Sequence, residues 1–199
     1  MQESAVSDRR GDAEGGEKVT RVLGIDPDTR GTGWAIVEDG KVVQCGVLDI
    51  TELYSKKVKG REAAVCMAGT LVKFCAGLPP MTLAVIEGQQ VYRSGKADAN
   101  NLLLLALVSG AAAGACVWKA AATVVPRPKD WKGQQPKGVN QARSLNRLHW
   151  VFEFDGPDKP VKNVEFPEGV LMGQPKASHL KEVVDAIGLA LWGYDQVIS

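Results

Sequence analysis

Apolar positions change their rhythm along the chain, and each rhythm predicts an element. Val22-Leu-Gly-Ile25 is a short, unbroken apolar run, the pattern of a strand buried on both faces. It ends on an acid, Asp26, and Pro27 cannot extend a sheet ladder. Thr29, Gly31 and Gly33 turn the chain into a β-rich run with Trp34 and Ile36. Asp39-Gly40 marks a tight hairpin, because this pair tolerates positive φ. The first three strands therefore fall at about 20–26, 33–38 and 42–50. From Lys56 to Ala76 the period lengthens: Val58, Val65, Ala68, Leu71, Val72 and Cys75 recur at helical spacing, and Gly77 with Pro79-Pro80 stops them. Thr82 to Ile86 is a second buried-strand run, and it too is followed by an acid, Glu87. Ala99 to Lys119 predicts a long Ala/Leu-rich helix, and Ala121 to Val125 a fifth strand closed by Pro126 and Pro128. Val139 to Trp150 reads as a short helix and Ser178 to Val197 as the last one.

Three hairpin-linked strands followed by helical crossovers predict an α/β fold. Its mixed five-stranded sheet, three antiparallel strands and then parallel ones, has helices on both faces. Residues 1–19 lack periodicity and are rich in Gly, Ser, Glu and Asp, as expected of a disordered tail. The domain then occupies 20–199, with 151–177, broken by Gly156, Pro157, Pro160, Pro167 and Pro175, as an insertion or long loop.

Composition changes this picture little. At 199 residues, 45% hydrophobic and 24% charged, the chain can build one ordinary globular core. No apolar run reaches the roughly 18 residues of a membrane span, and no secretory signal is visible, so a cytoplasmic protein is expected. Four scattered cysteines form no C-x-x-C pair, which argues against a zinc site and for free thiols. The net charge of +1 does not advertise a nucleic-acid partner. Its distribution does: between Arg127 and Arg147 six basic residues face one acid, and between Glu153 and Glu168 five acids face two lysines. Such a basic segment can neutralise phosphates even on a neutral protein.

The candidate chemistry is carboxylate. Asp26 and Glu87 each end an apolar strand, where an acid is costly unless something pairs with it, and a metal ion is the obvious partner. Glu182 and Asp185 lie three apart on the last helix and so share a face. Hard carboxylate oxygens converging on one point favour Mg²⁺ or Mn²⁺.

Gly24-Ile25-Asp26-Pro27-Asp28-Thr29, with Gly and Trp shortly after, resembles the first-strand motif of the RuvC-type Holliday-junction resolvases of the RNase H-like superfamily. Asp28 stands where that family usually has Gly. Glu182-Val-Val-Asp185-Ala fits the family's C-terminal helix, with Glu at a position that is an acid or His there. Glu87-Gly-Gln-Gln-Val-Tyr92 followed by Leu102 to Gly114 resembles its strand-end Glu, aromatic and dimerisation helix, with a longer spacing to the aromatic.

The resemblance implies an RNase H-like fold and a homodimer joined through helix 99–119. It implies a crossover junction endonuclease that resolves four-way DNA by paired, symmetric nicking. Two Mg²⁺ ions, replaceable by Mn²⁺, would be held by Asp26, Glu87, Glu182 and Asp185, with His179 nearby to orient water. Tyr92, Arg93, Lys96, Lys132, Lys137 and Arg143 would contact DNA, Tyr92 by stacking on an unpaired base. The setting would be a bacterial or phage-infected cytoplasm, with an organelle left open. Three other readings compete: a nuclease on other branched DNA or RNA–DNA hybrid, a nuclease-dead DNA-binding module, and an actin-like ATP-binding protein. The last would need a second Gly-rich phosphate turn and roughly twice the length.

Overall fold

The computed structural model describes residues 19–54, 58–89, 98–173 and 175–199. Expectations for the tail 1–18, and for Tyr92, Arg93 and Lys96, lie outside the described residues.

The sheet is built around strand β1 (Arg21–Asp26). It pairs antiparallel with β2 (Gly31–Glu38), which pairs antiparallel with β3 (Lys41–Asp49). The turn between β2 and β3 has φ of 46° at Asp39 and 80° at Gly40, the positive values expected of an Asp-Gly hairpin. A single-turn helix α1 (Ile50–Leu53) is capped by the Asp49 carboxylate, and α2 (Gly60–Gly77) follows. Strand β4 (Met81–Ile86) returns parallel to β1, and helix α3 (Ala99–Cys116) leads to β5 (Ala120–Val124), parallel to β4. Short helix α4 (Pro128–Trp131), helix α5 (Lys137–Arg147), strand β6 (Leu171–Met172) and helix α6 (Leu180–Ile198) complete the chain. The sheet order is β5-β4-β1-β2-β3-β6.

The sheet thus has six strands where the sequence pattern predicts five. The addition is β6, two residues from the segment read as a loop, pairing Leu171 with Cys45 and Met172 with Gly46. Two residues are too short to show a period. The expectation on apolar runs is also corrected. Helix α3, 18 residues at mean hydropathy 1.5, is long and apolar enough to cross a membrane by length and composition. Here it lies along α2, burying Val108, Ser109, Ala112 and Cys116.

Side-chain alternation sorts the two faces. Leu23, Ile25, Ala84 and Ile86 point toward α2 and α3, where they meet Met67, Leu71, Val108 and Ala112. Val22, Leu83 and Val85 point the other way, toward Leu189 of α6. By the same parity Asp26 and Glu87 belong to the α6 face. The register makes them neighbours, because Ile25 is paired with Ile86 and the Glu87 amide donates to the Ile25 carbonyl at 2.9 Å. All four cysteines are free, and Cys75 and Cys116 meet in the core at 3.7 Å between sulfurs.

Helix α6 runs over β1 and β2 at backbone distance. A Cβ on Gly24 would come within 2.6 Å of the Ala190 amide nitrogen, and one on Gly33 would collide with the Glu182 carbonyl. Overpacking of this kind costs about 1–3 kcal/mol. Gly33→Ala is therefore expected to lower stability in urea unfolding by about 2–3 kcal/mol or more. Gly69→Ala, in the middle of α2 with nothing within 4 Å of the added carbon, should be neutral or gain up to about 1 kcal/mol. Equal effects of the two substitutions would contradict the close approach.

Candidate active site

Three elements deliver acids to one place. Asp26 comes from the end of β1, Glu87 from the residue after β4, and Glu182 and Asp185 from the first turns of α6. Together with Asp28 they line a cleft of about 220 Å³ that also contains Pro27, Gln89, Leu105, Lys132 and Lys137. Asp185 is only 1% exposed and Glu87 7%.

The lysines stand inside this cleft. Lys132 Nζ lies 3.2 Å from Glu87 Oε2 and 3.6 Å from Asp185 Oδ2, and Lys137 Nζ lies 2.7 Å from Asp185 Oδ2. Lys132 also sits over the Trp131 ring, 4.5 Å from its centroid. These ion pairs leave hydrogen bonding incomplete. Lys132 and Lys137 cover Glu87 Oε2 and Asp185 Oδ2, whereas Glu182 Oε2 is buried with no hydrogen-bond partner among the described residues.

Burial governs the protonation of the cluster. It pushes the Asp26 carboxyl well above the usual carboxylate range, and the charges of Glu87 and Asp185 push it further. Burial also raises Glu87, against the pull of Lys132 and with help from Asp185. It raises Glu182, opposed by Lys137 and Lys181. Burial would depress both lysines, yet the Asp185 charge, with further acids behind it, holds each ammonium above its ordinary value.

Two polar residues that the sequence did not single out shape the site. Gln141 of α5 is fully buried; its amide donates to Asp185 Oδ1 at 3.0 Å and to the Lys181 carbonyl at 3.2 Å, and its oxygen accepts from the Val161 amide at 3.1 Å. It fixes Asp185 from behind, leaving Oδ2 toward the cleft. Nothing in sequence separates this glutamine from a surface one. Asp28, noted earlier only as a departure from glycine, accepts from the amides of Arg30 at 2.8 Å and Gly31 at 3.3 Å and so holds the turn between β1 and β2.

The remaining expected site residues lie elsewhere. His179, one turn before Glu182, has its ring against Gly31 and its Nδ1 3.5 Å from Asp49 Oδ2, so it does not line the acidic cleft. The short helical turn Ala177–His179 before α6 carries it there. Arg143 is on the outer face of α5. It lines a second cavity of about 190 Å³ with Trp131, Arg147 and Trp192 among others.

A mixed sheet of this order, flanked by helices, is a fold of the RNase H-like class. Within that class the fold is of the RuvC resolvase type. It is similar to T. thermophilus RuvC in complex with a Holliday junction substrate, at 15% identity and TM-score 0.56, over 90% of this chain and 97% of that one. It is likewise similar to a second Thermus thermophilus RuvC structure, at 16% identity and TM-score 0.53, over 90% of this chain and 96% of that one. No protein-family model matches the sequence, and no curated protein matches it.

The raised pKa of Asp26 has a measurable consequence. The folded protein keeps a proton there at pH values where the unfolded chain, with an ordinary Asp pKa of about 4, has lost it. The associated stability is full below that ordinary value and is lost as pH rises through the folded one. Asp26→Asn removes this loss. In metal-free buffer it should be more stable than the wild type at pH 7, with the gap closing near pH 3. A variant no more stable at pH 7 would contradict the assignment.

Proposed function

We propose that this protein is a divalent-metal-dependent endonuclease that resolves four-way DNA junctions as a homodimer, by paired symmetric nicking. The observation that carries the reading is the convergence of Asp26, Glu87, Glu182 and Asp185 with Lys132 and Lys137 in one cleft. The RuvC-type fold supports it, since one similar structure is bound to a Holliday junction.

The donor set suits a hard divalent ion. It consists of carboxylates, and one of their oxygens, Glu182 Oε2, is buried without a hydrogen-bond partner among the described residues. Asp26, Glu87, Glu182 and Asp185 would hold two Mg²⁺ ions. When bound, such ions supply an activated water and stabilise the leaving 3′ oxygen in phosphodiester hydrolysis. The chain's own residues do the rest. Gln141 keeps Asp185 in one orientation, Asp28 holds the turn beneath Asp26, and Lys132 and Lys137 offer positive charge to the phosphate. Because the buried acids take up protons in the free protein, ionising them to hold an ion releases protons.

In Mg²⁺, the wild type should nick synthetic four-way junctions faster than flaps, nicked duplex or RNA–DNA hybrid. Asp26→Asn should lose on the order of 10³-fold or more in rate while still binding the junction. Equal cleavage by that variant would end the nuclease reading. Faster cleavage of flap or hybrid would move it to another substrate.

The dimer reading rests on α3. Its outer face carries Leu103, 69% exposed, and Leu107, followed by Gly110 and Gly114, whose added carbons would meet nothing within 4 Å. Val65 and Val72 of α2 are exposed as well. One two-fold contact here would set two clefts at fixed spacing for paired nicking. Leu103→Glu/Leu107→Glu should convert a dimer to a folded monomer in light scattering and uncouple the two nicks. An unchanged mass would place the interface elsewhere.

A further inference from the structure

The acidic cleft holds its own cations, and they sit on the oxygens a metal would need. Lys137 Nζ is 2.7 Å from Asp185 Oδ2, and Lys132 Nζ bridges Glu87 Oε2 at 3.2 Å and Asp185 Oδ2 at 3.6 Å. Among the described residues no group of three or more carboxylate, imidazole or thiol side chains is arranged to hold an ion as it stands. The carboxylates have settled around ammoniums instead. A magnesium ion demands near-octahedral oxygens at about 2.0–2.1 Å. An ammonium on the same oxygen sets a like charge beside that position, and the repulsion is strong in a partly desolvated cleft. The two lysines differ in freedom. Lys132 is 17% exposed and lies over Trp131, whereas Lys137 is 37% exposed and stands at the first turn of α5, with a path outward.

We propose that Lys132 and Lys137 gate metal binding. In the free protein their ammoniums hold the carboxylates against divalent cations. A phosphodiester arriving at the cleft offers them another partner and draws them off, so DNA and metal bind with positive coupling. By linkage each then tightens the other by the same factor. The proposal rests on the nuclease reading for the identity of both ligands, but its test reads binding rather than cleavage.

The test is Mn²⁺ titration of the full chain, followed by calorimetry and by the Mn²⁺ electron paramagnetic resonance signal. Wild type, Lys132→Gln and Lys137→Gln are compared with and without a short single-stranded oligonucleotide. Without DNA, each variant should bind Mn²⁺ at least about tenfold tighter than the wild type, a difference of about 1.4 kcal/mol. The oligonucleotide should tighten Mn²⁺ binding to the wild type by a similar factor and have little effect in the variants. Variants that bind Mn²⁺ no better than the wild type, or an oligonucleotide effect that survives in both, would overturn the gate. Should either variant fail to fold, as judged by circular dichroism, the wild type alone suffices. Saturating Mn²⁺ should raise acetylation of Lys137 by acetic anhydride severalfold in peptide mass spectra, and unchanged labelling would overturn the proposal. Coupled binding without junction cleavage would sink the nuclease reading and leave the gate; cleavage with uncoupled Mn²⁺ binding would do the reverse.

Discussion

The approach of α6 to β1 and β2 is the constraint on which the site depends. Gly24 and Gly33 leave no room for a Cβ between strand and helix backbones. That contact fixes the height of α6 over the sheet, and Gly33 lies directly under Glu182. Asp26 pairs with Gly33 across the β1–β2 ladder, so the helix that carries Asp185 is set beside the strand that carries Asp26. The acids meet because two glycines allow the main chains to meet. A side chain at either position would lift the helix and open the cleft before it disturbed any carboxylate directly.

With the acids assembled, the problem becomes electrostatic. Buried like charges repel, and burial alone disfavours each of them. The chain answers in two ways. It lets Asp26, Glu87 and Glu182 hold protons above the usual carboxylate range, and it inserts Lys132 and Lys137. Neither answer satisfies every oxygen, since Glu182 Oε2 stays buried without a hydrogen-bond partner among the described residues. Stability and the proposed chemistry therefore pull the same residues in opposite directions, the usual condition of a functional site.

Much of this was legible in the sequence, for reasons that are local. Asp26 and Glu87 stood out because each ends a continuous apolar run; that both lie on the α6 face follows from the strand register and the packing of the two sheet faces. The three-residue spacing of Glu182 and Asp185 needed only a helix. The motif around Asp26 pointed to the RuvC-type fold at an identity where no sequence comparison finds a match. Other features depend on distant contacts and left no local mark. The strand β6 is two residues long and owes its existence to Cys45 and Gly46. Gln141 looks like any polar residue on a surface helix until Asp185 and Val161 are brought to it. Lys132 and Lys137 read as a basic loop; spacing alone could not show them turned inward.

The inward turn of Lys132 has a structural cause that ties the site together. Trp131 lies over Gly188, one turn beyond Asp185 on α6, where an added Cβ would come 2.9 Å from the indole. The close fit of indole on glycine anchors α4 to α6, and the next residue, Lys132, is then directed at Asp185 and Glu87. Lys137 and Gln141 are one turn apart on α5 and approach the same Asp185 from its two oxygens. Asp185 is therefore held by two segments of the chain at once, α4 with its following residue and α5, while α6 holds its backbone. Under the proposed gate Asp185 changes partners when a lysine leaves, and of the two Lys137 is the more exposed, at 37% against 17%.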